Sequence, residues 1–322
     1  MNNYDMNTVV LVIGANGQLG SVLVKSLQDK FGMDNVVASD LRTKEGYQGI
    51  FEIIDATNFE RIQEVVTTYK VTQIYHLAAI LSAKGEEIPL QTWDINMKTM
   101  FNVFEVARLN NIEKVFYPSS IAVFGDGADK ESTPNNAYLD PATVYGISKA
   151  SGENWAQYYF LRYGLDVRSI RYPGVIGYQS LPGGGTTDYA VDIYHKAVLG
   201  ETFDCFLKAD STLPMIFMED VIRATIELMD APKEAIKTRT SYNIAGVSFS
   251  PSEVTAEILK TYPDFKVNYT PDFRQHIADK WPKSIDDSSA RAEWGWKPEY
   301  DLEAITKTMI KELKIYYSLI QA

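Results

Sequence analysis

The first half of the chain alternates short apolar runs with amphipathic segments. "TVVLVI" (8–13) is an unbroken apolar run ending at glycine, typical of a strand buried on both faces of a parallel sheet. Leu19, Leu23 and Leu27 follow at the spacing of one helix face. Further strands are predicted at 35–40, 50–55, 73–79, 114–120 and 166–172. Helices are predicted between them at 58–69, 92–110 and 145–163. This alternation predicts an α/β fold built on a doubly wound parallel sheet.

The regular alternation ends after residue 173. Loops lengthen there, and the final segment, 302–321, has the periodicity of one amphipathic helix. We therefore predict a doubly wound, Rossmann-type domain and a smaller C-terminal substrate-binding lobe. The predicted bounds are 1–173 and about 215–245 for the Rossmann domain, and about 174–214 and 246–322 for the lobe.

Composition narrows the classes of function. The 322 residues are 45% hydrophobic and 23% charged, which is typical of a globular protein, and the net charge of −11 argues against nucleic acid or an anionic membrane as partner. The single cysteine, Cys205, and three scattered histidines do not suit a thiolate zinc site, so no metal is expected. No basic segment precedes the first apolar run, and no run approaches the ~20 residues of a membrane span. We expect a cytoplasmic protein.

A glycine-rich turn follows the first predicted strand and opens the first predicted helix. In "GANGQLG" the glycines are Gly14, Gly17 and Gly20. Glycines at such a turn allow a pyrophosphate to approach the backbone N–H groups at the helix start. The turn predicts a dinucleotide site.

Two acidic residues follow later strands. Asp40 ends the second strand, where a carboxylate can accept both ribose hydroxyls and would repel a 2′-phosphate. This favours NAD over NADP, although Arg42 lies close by in the sequence. Asp55, at the end of the third strand, either caps a helix or contacts adenine.

"YGISK" places Tyr145 and Lys149 four residues apart on a predicted helix, and so on one face. A nearby ammonium lowers the pKa of a phenol, so a phenolate could take the proton of an alcohol while hydride leaves its carbon. Ser119 and Ser120, 25 residues before the tyrosine, follow a strand at the edge where such sheets bind ligands. A serine hydroxyl there could hold the substrate oxygen for the tyrosine.

With these residues in this order, the chain resembles the extended short-chain dehydrogenase/reductase family along essentially its whole length. The further motifs are "HLAA" (76–79), Asn96, "SSIAVFG" (119–125) and "RYPGVIGY" (171–178). The resemblance implies Tyr145 as acid/base, Lys149 on the nicotinamide ribose and Ser120 as the helper hydroxyl. It also implies a set of NAD-binding positions, namely Gly14, Asn16, Gly17, Gln18, Leu19, Gly20, Asp40, Asp55, Ala56, Leu77, Ala78, Ala79, Asn96, Tyr145, Lys149 and Tyr172.

Most relatives of this length act on nucleotide sugars, and this chain departs from their pattern. Gly174 stands where they carry an asparagine that contacts the sugar nucleotide, and no proline follows Gly177. Arg223 and Arg291 nevertheless remain as possible diphosphate ligands. An epimerase or dehydratase that retains bound NAD is therefore the alternative.

The region from 171 to 302 instead resembles the short-chain group of L-threonine 3-dehydrogenases, with "LPGGGTTDYAVDIYHKA" (181–197) as its clearest segment. In this interpretation Thr186 contacts a very small substrate, and Asp188 either pairs with its ammonium or braces the loop. The remaining predicted substrate-binding residues are Ser82, Ser120, Tyr145 and Gly184. Ser82 could equally be an ordinary loop serine. The glycines also suggest a hinge that closes 181–190 over the substrate.

The expected function is NAD-dependent oxidation of the C3 hydroxyl of L-threonine to 2-amino-3-oxobutanoate, without a metal. A non-catalytic cofactor sensor is disfavoured because Tyr145, Lys149 and Ser120 are all present. The family resemblance suggests a homodimer that pairs the helices at 92–110 and 145–163, where Met97, Phe101 and Phe104 suit an interface or a core equally well.

Overall fold

The computed structural model describes residues 8–183 and 185–320. Over these residues the chain forms fourteen strands and eleven α-helices. The strands are β1 (Val10–Ile13), β2 (Val36–Asp40), β3 (Ile50–Ile53), β4 (Gln73–His76), β5 (Lys114–Phe116), β6 (Ser119–Ser120), β7 (Val167–Arg168), β8 (Ile170–Tyr172), β9 (Gly174–Ile176), β10 (Phe203–Cys205), β11 (Leu213–Phe217), β12 (Tyr242–Asn243), β13 (Val247–Phe249) and β14 (Val267–Tyr269). The helices are α1 (Gln18–Phe31), α2 (Phe59–Tyr69), α3 (Ser82–Glu87), α4 (Pro89–Leu109), α5 (Val144–Tyr163), α6 (Tyr189–Leu199), α7 (Met218–Asp230), α8 (Pro251–Leu259), α9 (Arg274–Ala278), α10 (Ser288–Trp294) and α11 (Leu302–Ile320).

The chain divides into two compact units. The first contains the chain up to Ser119, Thr143–Arg171 and Ile222–Tyr242, and the second contains Ser120–Ala142, Tyr172–Val221 and the chain from Asn243 onward. Residues 120–142 thus fall in the second unit, whereas the sequence prediction had them within the Rossmann domain. The roles of the units, cofactor binding for one and substrate binding for the other, stay predictions.

The first unit is built on a six-stranded sheet in the order β3-β2-β1-β4-β5-β7. Every neighbouring pair is parallel, with Val10 opposite Val36 on one side and Gln73 on the other. The chain winds outward from β1 in one direction through β2 and β3, and in the other through β4, β5 and β7. The predicted doubly wound α/β fold is confirmed. Its winding reverses between β1 and β4, where such sheets bind ligands beyond the strand ends.

Apolar residues from the sheet and from the helices that cover it form the core of this unit. Leu11, Val37 and Ile74 are fully buried and pack in one cluster with Val103 and Phe104 of α4. This burial explains why β1, with the sequence VLVI, is a continuous apolar run rather than an alternating one.

The second unit contains two small sheets and a group of packed helices. One sheet has the order β13-β11-β9, and the other pairs β10 with β14. Helix α11 packs against α6 and α8, and the Tyr194 hydroxyl lies 2.8 Å from Thr306 Oγ1 between α6 and α11. Across residues 8–183 and 185–320, no helix is both long enough and apolar enough to cross a membrane.

Candidate active site

The glycine-rich turn after β1 has the tight geometry that its sequence predicts. Gly14 has a φ of 93°, which is unfavourable for a residue with a side chain, and the N–H groups of Gly14 and Ala15 both donate to the Ser39 carbonyl at 2.9 Å. A Cβ on Gly14 would lie 2.7 Å from the Ala78 nitrogen. A Cβ on Gly20 would lie 2.1 Å from the Gly14 oxygen, so both positions exclude a side chain.

Within the described residues, the N-terminus of α1 has no side-chain cap. Gly17 is the N-cap residue, and the first turn carries no acidic residue. A Cβ on Gly17 would meet only the Gly14 oxygen, at 3.4 Å, so the space beside it is otherwise open. Uncapped N–H groups and the positive end of a helix dipole suit an anion. These residues therefore fit the pyrophosphate of a dinucleotide.

Asp40 is held against this turn at the end of β2. Its Oδ2 accepts a hydrogen bond from the Asn16 N–H at 3.0 Å, and its Oδ1 accepts one from the Leu41 N–H at 2.7 Å. The Asn16 side chain in turn donates to the Arg42 carbonyl at 2.7 Å. The carboxylate is thus fixed in orientation while it remains partly exposed. It is therefore positioned to accept hydroxyl donors and to repel a phosphate.

Asp40→Asn is expected to lower the preference for NAD over NADP, because it keeps an acceptor oxygen and removes the charge that repels a 2′-phosphate. We expect the ratio of kcat/KM values for the two cofactors to fall on the order of 10–100-fold. The control is Asp34→Asn, the same charge change at an exposed residue before the start of β2. An unaltered ratio in Asp40→Asn would remove this residue from cofactor selection.

Asp55, predicted to end the third strand, lies instead two residues beyond the end of β3. Its Oδ1 accepts hydrogen bonds from the backbone N–H and the hydroxyl of Thr57, both at 2.8 Å, and so braces the turn before α2. The neighbouring Ala56 carbonyl accepts a hydrogen bond from the Asn102 side chain at 2.9 Å. The N-cap of α2 is Asn58, so Asp55 does not cap this helix, and its contact with adenine stays a prediction.

The predicted strand at 73–79 ends at His76, and residues 77–79 form a loop. The N–H groups of Leu77 and Ala78 both donate to the Ile13 carbonyl, at 2.8 and 3.1 Å, which binds this loop to the glycine-rich turn. Asn96 on α4 exchanges two hydrogen bonds with the Ile80 backbone and donates a third, at 3.3 Å, to the Ser148 hydroxyl on α5. The proposed cofactor loop is thereby connected to the helix that carries Tyr145.

Helix α5 begins one residue before Tyr145 because its first turn is capped twice. The Thr143 hydroxyl accepts the Gly146 N–H at 3.1 Å, and Glu86 Oε1 accepts the Val144 N–H at 2.9 Å. Lys149 follows one turn later, buried, with its Nζ 5.6 Å from the centroid of the Tyr145 ring. Tyr145 itself is partly exposed. The structure thus brings the predicted pair together on one helix face.

The Lys149 ammonium sits in an apolar, aromatic surrounding. Its Nζ donates a 2.7 Å hydrogen bond to the Pro118 carbonyl and lies 4.5 Å from the centroid of the Tyr117 ring. Burial lowers the pKa of Lys149 to about 7, although the Glu153 carboxylate opposes the shift. The His76 ring also stacks on the Tyr117 ring, with their centroids 6.2 Å apart. Burial and the Lys149 charge lower the pKa of His76 to about 3, so its ring stays neutral.

The two predicted serines have different surroundings, because the predicted strand at 114–120 divides into β5 and β6 around Pro118. The Ser119 hydroxyl is buried and donates to Glu153 Oε1 at 2.6 Å. Ser120 is partly exposed, and its Oγ accepts the Ala122 N–H at 3.2 Å at the start of a short 3₁₀ turn. The Ser119 hydroxyl is therefore committed to the carboxylate, whereas the Ser120 O–H proton remains available for another acceptor.

In the second unit, the threonine-rich segment forms a tight turn before α6. Thr186 is buried, and Asp188 Oδ2 accepts the Gly185 N–H at 2.9 Å, which favours loop bracing among its two predicted roles. A Cβ on Gly174 would lie 2.4 Å from Met215 Sδ and 2.7 Å from the Thr187 methyl group. Gly174 thus has no room for the asparagine found in sugar-nucleotide enzymes.

The remaining predicted site residues are distributed over both units. Tyr172, at the end of β8, is buried in the second unit, and Ser82 is the first, partly exposed residue of α3 in the first unit. Gly184 lies outside the described residues. Within the described ranges, no group of three or more His, Cys, Asp or Glu side chains is placed to hold a metal ion.

Sequence reasoning missed the buried polar residues behind Lys149. Arg171 and Glu153 form a fully buried ion pair, with 2.7 Å between Arg171 Nη2 and Glu153 Oε2. One feature of the sequence could have pointed to Glu153: it follows Lys149 by four residues and so lies on the same helix face as Tyr145 and Lys149. The sequence of α5 mixes polar and apolar residues, so it did not indicate that this glutamate would be buried.

Residues 10–245 match the NAD dependent epimerase/dehydratase family, and the chain belongs to that family. A curated relative, an uncharacterized epimerase/dehydratase of Staphylococcus haemolyticus, is 43% identical over 310 residues, which are 95% of this chain and 97% of the relative. The family is one of NAD-dependent enzymes, and the six-stranded parallel sheet of the first unit agrees with the fold of that class.

Solved structures refine the comparison. The holo form of a GalE-like L-threonine dehydrogenase from Cupriavidus necator is 49% identical with a TM-score of 0.94, covering 95% of this chain and 100% of that one. A monomeric L-threonine 3-dehydrogenase from a metagenome, in apo form, is 46% identical with a TM-score of 0.93, covering 96% of this chain and 99% of that one. The homodimer expected from the sequence stays a prediction.

Proposed function

We propose that the protein oxidises the C3 hydroxyl of L-threonine to 2-amino-3-oxobutanoate with NAD as the acceptor. The observation that carries this proposal is the Tyr145–Lys149 pair, a partly exposed phenol and a buried ammonium on one helix face, within a fold that matches a solved threonine dehydrogenase with a TM-score of 0.94. Both features support an alcohol oxidation. The substrate is inferred from the likeness and from the segment at 181–197.

The proton step is assigned to Tyr145 and Lys149 of the first unit. Tyr145 accepts the proton of the C3 hydroxyl, and the Lys149 ammonium favours the phenolate form of Tyr145 by its positive charge. The Ser120 hydroxyl orients the substrate oxygen. Bound NAD would supply the acceptor for the hydride from C3.

The residues assigned to NAD are those around the glycine-rich turn. The N–H groups at the start of α1, from Gln18 and Leu19, would bind the pyrophosphate, and Asp40 would accept the ribose hydroxyls. The loop Leu77–Ala79 and Lys149 complete the predicted set. Oxidation at C3 yields a β-keto acid, which readily loses carbon dioxide, so a following reaction that consumes it is expected.

The substrate residues are assigned to Ser82, Ser120, Gly184 and Thr186. Thr186 offers a hydroxyl from a buried position in the turn, where the Asp188 carboxylate accepts the Gly185 N–H. Asp188 remains a candidate for the substrate ammonium through its second carboxylate oxygen. A hinge motion of 181–190 over the substrate also remains a prediction.

The second candidate is an epimerase or dehydratase of nucleotide sugars, which the description of the curated relative favours. The crowding at Gly174 argues against it, because Met215 and Thr187 fill the place of the asparagine side chain that such enzymes carry.

The proposal is tested with a panel of L-amino acids and UDP-sugars, each with NAD and with NADP. We expect steady formation of NADH, followed at 340 nm, with L-threonine and NAD, and much less with L-serine, which lacks the C4 methyl group. Turnover of a UDP-sugar without net NADH formation, together with no reaction of threonine, would contradict the proposal and favour the second candidate.

A further inference from the structure

Helix α5 carries a third buried titratable residue in line with the proposed catalytic pair. Tyr145, Lys149 and Glu153 follow one another at intervals of four residues and so share one face of the helix. Lys149 is 4% exposed and Glu153 is fully buried. The proposed proton transfer uses the first two residues and gives Glu153 no role.

Side chains from two strands donate hydrogen bonds to both carboxyl oxygens of Glu153. Arg171 on β8 donates from Nε to Oε1 at 2.9 Å and from Nη2 to Oε2 at 2.7 Å, which is a bidentate, charge-assisted contact. Ser119 on β6 donates to Oε1 at 2.6 Å. Arg171 and Ser119 are themselves buried, so the Glu153 side chain and its partners form a buried polar cluster.

The groups that face Lys149 differ in charge. His76 from β4 is neutral, and burial raises the pKa of the Tyr117 phenol, so it is neutral as well. The Pro118 carbonyl and the Tyr117 ring supply only partial negative charge. Glu153 supplies a full negative charge, which favours the protonated form of Lys149 against the effect of burial.

We propose that Glu153 is a positioning residue of the active site, whose buried carboxylate keeps Lys149 protonated and is itself held in place by Arg171 and Ser119. This inference rests on the proposed function of the Tyr145–Lys149 pair. In this inference Ser119 holds the Glu153 carboxylate, and Ser120 is the serine assigned to the substrate. The Tyr145–Lys149 pair needs the proton on Lys149. Without the Glu153 charge, Lys149 should lose this proton at a lower pH, so the alkaline loss of activity should begin at a lower pH than in the wild type.

The direct test is an NMR titration of the Lys149 side chain in the chain without cofactor. The signal of its ε-methylene group is assigned by its absence in Lys149→Met. In Glu153→Gln we expect the titration midpoint of Lys149 to fall by about one pH unit. In the same variant the alkaline limb of kcat/KM for threonine should move to lower pH by a similar amount, with about tenfold less activity on that limb.

Two further variants separate charge from folding. Glu153→Gln leaves Arg171 buried against a neutral amide, which destabilises a fold. Asp166→Asn has the same defect elsewhere in the first unit, because Asp166 is buried between Arg168 at 2.8 Å and Arg239 at 2.6 Å. It should lower the melting temperature without moving the Lys149 midpoint. The double variant Glu153→Leu, Arg171→Met replaces the pair by apolar side chains and should still lower the midpoint.

The outcomes distinguish this inference from the proposed function. A Lys149 midpoint that is unchanged in both Glu153 variants, or that moves equally in Asp166→Asn, overturns the role of Glu153. Full activity in Tyr145→Phe or Lys149→Met would instead overturn the proposed function, and the NMR midpoint would still decide whether Glu153 sets the charge of Lys149.

Discussion

Tyr145→Phe is expected to reduce the rate of NADH formation from threonine by about 10²–10⁴-fold, the usual contribution of a positioned general base. The substitution removes the hydroxyl oxygen and keeps the ring beside which the Lys149 ammonium lies, at 5.6 Å from the centroid. Binding of NAD, measured by calorimetry, should change little, because the glycine-rich turn and Asp40 are untouched. The loss should therefore appear in kcat.

The matched control is Tyr158→Phe, the same change on the same helix at a residue that is 46% exposed. It should leave kcat within a factor of about two, as expected for a surface position without a role in proton transfer. A kcat for Tyr145→Phe close to that of the control would remove the phenol from the mechanism.

Gly17→Ala is expected to weaken NAD binding by about tenfold or more while the fold is kept. The Gly17 backbone, with φ of −68° and ψ of 172°, is open to alanine, and the new methyl group would meet only the Gly14 oxygen at 3.4 Å. That methyl group would, however, stand beside the uncapped start of α1, where a pyrophosphate needs close approach to the backbone. The measurement is the dissociation constant for NAD together with the melting temperature.

Gly20→Ala gives the contrasting result. Its Cβ would lie 2.1 Å from the Gly14 oxygen and 2.8 Å from the Ala15 Cα, both backbone atoms of the turn. The turn must shift, so this variant should lose both NAD binding and about 1–3 kcal/mol of stability. If Gly17→Ala bound NAD as tightly as the wild type, the turn would not be the pyrophosphate site.

Several parts of the fold could be predicted from the sequence because they depend on local patterns. The predicted strands at 8–13 and 35–40 correspond to β1 and β2 within two residues at each end, and β1 is the unbroken apolar run expected of a strand buried on both faces. The helix predicted at 92–110 begins three residues earlier, at Pro89, because proline suits the first position of a helix. The short strands of the second unit follow no such period and were not predicted.

The candidate site was predictable in its residue types and less so in their roles. Tyr145 and Lys149 lie one helical step apart, and the helix period suffices to bring them together. The Ser119–Glu153 and Glu153–Arg171 contacts join residues 34 and 18 positions apart, and only the packing of α5 on β6 and β8 brings them together. Local spacing carries no information about such pairs. The sequence alone therefore did not show that Ser119 and Ser120 have different hydrogen-bond partners.

The most direct test of the account is a reaction with L-threonine that carries deuterium at C3, followed by mass spectrometry of the isolated coenzyme. We predict that each NADH formed contains one deuterium and that the organic product is 2-amino-3-oxobutanoate or its decarboxylation product. Unlabelled NADH, or threonine recovered unchanged after long incubation with NAD, would contradict the assignment of this chain as a threonine C3 dehydrogenase.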